Sequence, residues 1–246
     1  MIVRDHLPWT RVWPQVSKRL GMLLLYDFSV AALYVLGDLR FLAMPALPLT
    51  MLGSAIGVFL AFRTGSAYDR WWEARTLWGG LVNSSRTLAR QVLSLISSPG
   101  ADGASSQSTI INLQIAFVYS LRCHLRGQNP YPELGNILPD STIATLRCYK
   151  NVPAAILLLM SREIRGAFDR GWLDSIRLTS LDDTLTQLTN IQGSCERIKN
   201  PPLPRQYDYF PRLLVNFFCL LVPLGFVEAL GLATPMSIMT ATGRGA

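Results

Sequence analysis

The sequence predicts an all-α membrane protein in which transmembrane helices are joined to a cytosolic helical bundle. Three observations carry that expectation. Three apolar runs, at about 20–36, 45–62 and 213–232, approach the length needed to cross a bilayer. Between the second and third runs, the region at about 63–205 repeats its apolar residues at helical spacing. No segment alternates apolar and polar residues as a half-buried strand does. Half of the 246 residues are hydrophobic and only 16% are charged, with a mean hydropathy of +0.26. The length suits a single domain over 1–246 that combines a membrane part with a soluble part.

The elements follow in order. Residues 1–19 hold Arg4, Arg11, Lys18 and Arg19 against Asp5 alone, and Trp9 and Trp13 are four apart. A short interfacial helix with an aromatic face is expected there, on the cytoplasmic side. Met1–Gly21 has charges throughout and no cleavage pattern of a signal peptide. The first run, Leu20 to Leu36, is interrupted only by Asp27. An acid inside a membrane segment faces protein or water rather than lipid. Asp27 is therefore a polar group near a conduction path, a partner in a helix-packing hydrogen bond, or a residue close to the interface. The link 37–45 is neutral, with Asp38 balanced by Arg40, and so is expected outside, while the basic flanks stay in the cytoplasm. Pro45 and Pro48 open the second run, since proline is tolerated in a first turn.

In the region 63–205 the helical periodicity is carried by Leu81, Leu88, Val92 and Ile96, then Ile110, Leu113, Phe117 and Leu121, then Ile156, Leu159 and Ile164. Ser97–Ser108 and Gly127–Pro139 read as loops. Val152–Met160 is apolar but too short to span. Ser180-Leu181-Asp182-Asp183 resembles a capping box that would start a helix running to about Lys199. Pro201, Pro202 and Pro204 end it. The third run, Leu213 to Leu232, contains Pro223 and Glu228. Three spans would leave the C-terminus outside.

Several chemistries find no support. The chain has no G-x-S-x-G elbow, P-loop, H-E-x-x-H or dinucleotide fingerprint, so no catalytic residue is expected. Cys123, Cys148, Cys195 and Cys219 form no CxxC pair, and His124 beside Cys123 has no third ligand nearby in sequence. No metal and no cofactor is expected. Asp182-Asp183 is the only adjacent acidic pair and serves a helix N-terminus more simply than a calcium ion. The net charge of +7 is spread between apolar segments rather than gathered in a patch, which fits a positive-inside bias and not a nucleic-acid partner.

The second run offers a different function. Ser54, Val58 and Phe62 are spaced by four, drift only about 40° per step and so share one helix face. Gly53 and Gly57 lie beside that face, and small residues permit close helix approach. A symmetric ring of such helices would line an apolar constriction that gates by dewetting. Apolar faces of membrane helices also meet lipid or neighbouring helices, so periodicity leaves both readings open.

The run ends in Phe59-Leu60-Ala61-Phe62-Arg63-Thr64-Gly65-Ser66-Ala67-Tyr68-Asp69-Arg70-Trp71-Trp72-Glu73-Ala74-Arg75. An apolar helix followed by Arg70-Trp71-Trp72 resembles the pore helix and following segment of the bestrophin family in its bacterial branch. The resemblance extends through Gly193 and Tyr207–Phe210. It implies a homopentameric ion channel whose partners are copies of itself, the lipid bilayer and permeant monovalent ions, in a bacterial inner membrane. It puts the neck on Phe62, Val58 and Ser54, where Ser54 departs from the usual large apolar residue. It puts a cytosolic aperture on Ile176, which follows Asp174. Animal members pass anions and some bacterial members pass cations, and an apolar ring does not encode the sign. Members close with a further membrane helix and a Pro-Phe-Gly motif. Here the resemblance stops near Thr234-Pro235, so a truncated or frameshifted member is expected. A non-conducting scaffold, and behind it a membrane-associated enzyme, are the alternatives.

Overall fold

The structure, a computed structural model, describes residues 9–97, 101–200 and 206–235. Among these residues the regular elements are all helical. They are α1 (Trp9–Leu36), α2 (Ala46–Leu95), α3 (Ala101–Arg126), α4 (Tyr131–Leu134), α5 (Asp140–Leu146), α6 (Val152–Asp169), α7 (Ser175–Lys199) and α8 (Gln206–Leu230). Short 3-10 turns occupy Arg40–Leu42 and Gly231–Ala233. The chain divides into two compact units: Met1–Ser66 with Leu203–Ala246, and Ala67–Pro202. Helix α2 contributes residues to both.

The first unit holds three apolar helical stretches. Val16–Leu36, a segment of α2 from Pro48 and Tyr209–Leu230 are each long and apolar enough to cross a membrane. The link between the first two is pinned locally. Asp38 takes a positive φ of 47°, and its carboxylate accepts from Arg40 Nε at 2.9 Å. Helix α8 packs against α1, where Tyr26 donates its hydroxyl to the Leu220 carbonyl at 3.0 Å. It also meets α2. A Cβ on Gly53 would lie 3.2 Å from the Phe218 ring, and one on Gly225 would lie 2.9 Å from Leu49. Glycine at these two positions is what lets the helices approach.

The second unit is a helical bundle with a single apolar core. Leu81, Leu88, Val92 and Ile96, with Ile110, Leu113, Phe117 and Leu121, are all buried, and α6 adds Ile156, Met160 and Ile164. Leu159, on the same periodic pattern, packs against this core while only partly buried. Burying each large aliphatic or aromatic side chain contributes about 1.5–3 kcal/mol. The apolar stretch Val152–Met160 forms the first half of α6, where Asn151 caps the helix by accepting from the Ala154 N–H.

Four local expectations are corrected. The residues from Trp9 do not form a separate short helix, because α1 continues without a break to Leu36; residues 1–8 lie outside the described residues. Ser97–Ser108 is not a loop throughout, since α3 begins at Ala101. Gly127–Pro139 contains the one-turn α4, with Leu134 fully buried. Helix α7 begins at Ser175 rather than near Ser180, capped by the Asp174 carboxylate on the Arg177 N–H. The reason is tertiary. The Ser180 hydroxyl is taken by Gln91 Nε2 at 3.0 Å, and Thr184 donates to Gln91 Oε1 at 2.8 Å. Ser180 thus serves a buried polar link between α7 and α2, which needs those partners because buried amides must be paired.

Candidate functional site

Two surfaces carry the residues singled out by the sequence, one in each unit. In the membrane unit, Val58 and Phe62 are large, apolar and exposed, at 56% and 72% of their surface. Ser54 is exposed too, and its hydroxyl donates to its own helix at Thr50 O, 2.9 Å away. Its polarity is thereby satisfied without any partner from another helix. The side of α2 that meets α8 carries Leu49 and Gly53. At about 100° per residue, the mean directions of these two stripes differ by about 160° around the helix. Helix α8 therefore meets α2 near Leu49 and Gly53, on the side away from the Ser54–Val58–Phe62 stripe, and from Gly57 onward Phe59 and Leu60 are exposed as well.

Beyond Phe62 the helix continues without a proline, and its hydroxyls bond back along it: Thr64 to Leu60 O and Ser66 to Phe62 O. In the second unit Tyr68, Trp71 and Trp72 form an exposed aromatic group with ring centroids 5.7–6.3 Å apart. Arg75 lies over the Trp71 ring at 5.8 Å. Glu73 accepts from Arg197 Nη2 of α7 at 2.8 Å. The stretch that carries the family resemblance is thus attached to the bundle through its acid and leaves its aromatics outward.

Ile176 is the most exposed large apolar residue of the bundle, at 82%. It stands in the first turn of α7 on a well-held mount. Asp174 Oδ1 caps the helix at 2.8 Å, and its other oxygen pairs with Arg177 Nε at 3.1 Å. Arg177 Nη1 donates to Leu95 O at 3.2 Å and to Ser97 Oγ at 3.4 Å. The Ser97 N–H donates to Trp172 O at 3.1 Å, and Leu173 is buried. The role of Arg177 is not legible in the sequence, because Leu95 and Ser97 lie 82 and 80 positions away and only Asp174 is near. The neck stripe and Ile176 belong to different units.

The remaining candidates resolve locally. His124 faces an acid, with Nε2 3.5 Å from Glu196 Oε1, and that oxygen also accepts from Gln192 at 2.9 Å and Asn151 at 3.2 Å. Among the described residues no three His, Cys, Asp or Glu side chains gather where a metal could sit. Burial pushes the Cys195 thiol above its ordinary range, and Glu196 and Glu73 add to the effect. Asp27 is fully buried, and neither carboxyl oxygen has a hydrogen-bond partner among the described residues.

The chain is similar throughout to proteins of one known family. The family described as Bacterial/Fungal Bestrophin protein matches residues 8–242. A voltage-dependent anion channel-forming protein of Ralstonia nicotianae is 34% identical over 244 residues, covering 96% of this chain and 79% of the relative. A protein of the same description from Nostoc is 34% identical over 186 residues, which are 74% of this chain and 61% of the relative. A crystal structure of a bacterial bestrophin homologue from Klebsiella pneumoniae superimposes with a TM-score of 0.85 at 29% identity, covering 93% of this chain and 84% of that one. With three apolar helices long enough to cross a membrane among the described residues, the chain is an all-α membrane protein.

Proposed function

The chain belongs to the bacterial and fungal bestrophin family, and on that premise we propose that it acts as a channel for small monovalent ions, anions first, and not as an enzyme. The observation that carries the reading is the exposed apolar surface of α2 at Val58, Phe59, Leu60 and Phe62, beyond the point where α8 meets the helix at Leu49 and Gly53. On a monomer Val58 and Phe62 would meet lipid. In a ring of identical α2 helices they instead close a narrow dry passage around one axis. We take five copies as the assembly, with the bilayer as its surround.

In this reading Phe62, Val58 and Ser54 line the neck, with Ser54 relieving its outer end, and Ile176 lines a second constriction in the cytosolic bundle. The chain is a single functional unit that crosses a bacterial inner membrane several times, with the 63–205 region in the cytoplasm. An apolar ring slows every ion, since stripping water without replacement is costly; anions come first because the relatives are named as anion channel-forming.

The test is flux from liposomes containing the purified chain, under opposed chloride and potassium gradients, with the mass of the detergent-solubilised oligomer measured in parallel. Chloride flux from a pentamer is expected. A monomer, or a pentamer that conducts neither ion, would leave a membrane scaffold in place of a channel.

A further inference from the structure

We propose that Asp27 is a proton-binding site within the membrane unit, occupied by a proton while α1 and α8 are packed together. It lies inside the apolar stretch Val16–Leu36 and has no exposed surface. Val30 and Ala31, the next positions on its helix face, are buried with it. Neither carboxyl oxygen has a partner among the described residues. An ionised carboxylate in that position would be an uncompensated charge in an apolar interior, which costs several kcal/mol. The neutral acid avoids that cost and gains an O–H donor.

Helix α8 supplies a matching acceptor. Pro223 lies inside α8 and has no N–H, so the Cys219 carbonyl lacks its i+4 donor. The adjacent Leu220 carbonyl already receives a donor from α1, the Tyr26 hydroxyl at 3.0 Å. Asp27 follows Tyr26 directly in sequence, and Cys219 is within its electrostatic reach. A protonated carboxyl there would offer α8 a second donor from α1, beside the carbonyl that Pro223 leaves without its helical N–H. The titratable groups that sense Asp27 electrostatically are Tyr26 on α1 and Cys219 on α8. The Gly231–Ala233 turn, which also packs on α1, carries none. No lysine or arginine among the described residues pairs with Asp27.

The consequence is a contact that depends on pH. The packed helices hold the proton and separated helices in water release it, so the packed state binds more protons. Its stability is full at low pH and declines as pH rises. Helix α8 also backs α2 through Phe218 and Gly225, so loosening it would reach the helix that carries Val58 and Phe62. The proton site itself does not depend on the channel reading.

The experiment uses the full chain in lipid. Infrared spectra in heavy water should show a protonated-carboxyl band at neutral pH that is lost in Asp27→Asn. Thermal melting of the wild-type protein should fall from mildly acidic to alkaline pH. Asp27→Asn, neutral at every pH and still a donor, should keep the acidic-side melting temperature and lose the decline. A neutral-pH spectrum without the wild-type band would overturn the proposal, and that reading needs no variant to fold. Superimposable pH profiles of wild type and Asp27→Asn would overturn it as well. If both signatures appear while no flux is measured, the proton site stands and the channel reading falls.

Discussion

Arg177, in the first turn of α7, donates from Nη1 to the backbone carbonyl of Leu95 at the end of α2, 3.2 Å away. That carbonyl is among the last four of its helix, which have no intrahelical donor. The Arg177 guanidinium therefore caps the end of α2, while the Arg177 backbone N–H is capped by Asp174 at the start of α7. Ile176 lies between the two capping residues and turns outward because its neighbours are held.

The first prediction concerns that mount. Asp174→Ala removes the cap of α7 and should cost about 1 kcal/mol. Asp174→Asn keeps an acceptor and should cost less than half as much. Denaturant unfolding in detergent checks both. Equal losses would show that the carboxylate charge, through Arg177, matters more than the cap.

The second concerns the neck. Phe62→Ala removes every phenyl of an assembled ring at once, so a dry constriction becomes wide and wet and flux per oligomer should rise. Val58→Ala should act in the same direction with a smaller effect. If Phe62 is instead buried in a subunit contact, truncation leaves a cavity costing roughly 3–5 kcal/mol, and oligomer yield falls with flux. Flux normalised to intact oligomer separates the two. Unchanged or reduced flux from intact oligomers of both variants removes the neck assignment.

Topology is the third. In a background where Cys148 is replaced by serine, Phe41→Cys should react with an impermeant thiol reagent added outside, since the Asp38–Arg40 link is neutral and Phe41 is 81% exposed. Ser108→Cys, exposed on α3, should react only after the membrane is opened. The reverse pattern would invert the proposed orientation.

The native thiols provide a fourth. Cys148 is exposed, whereas Cys123 and Cys195 are buried. Burial and the neighbouring Glu196 and Glu73 hold the Cys195 thiol above its ordinary range, so little thiolate forms at neutral pH. Mass spectrometry after brief alkylation of the folded protein should find the label on Cys148 and none on Cys195, until denaturant equalises them. Label on Cys195 in the folded state would contradict the packing of α7 on the bundle.

The features legible in the chain alone are those that repeat at short range. Leu81, Leu88, Val92 and Ile96, or Leu113, Phe117 and Leu121, announce a buried helix face because their spacing matches the turn of the helix. The same short-range logic placed Ser54, Val58 and Phe62 on one face, and the run of uncharged residues before Arg63 marked a helix fit for lipid. The tertiary structure decided which capping residue is used. Asp174 and Ser180 are both good N-caps, and Ser180 was diverted because Gln91, far away in sequence, needs a partner inside the core. It decided that Arg177 holds Leu95. It also decided that Asp27, readable from sequence only as an expensive residue, is fully buried with no hydrogen-bond partner among the described residues. Periodicity encodes which side of a helix is apolar, but not which neighbour covers that side. That choice belongs to side chains brought together across the fold, where a buried polar group must either find a partner or remain neutral.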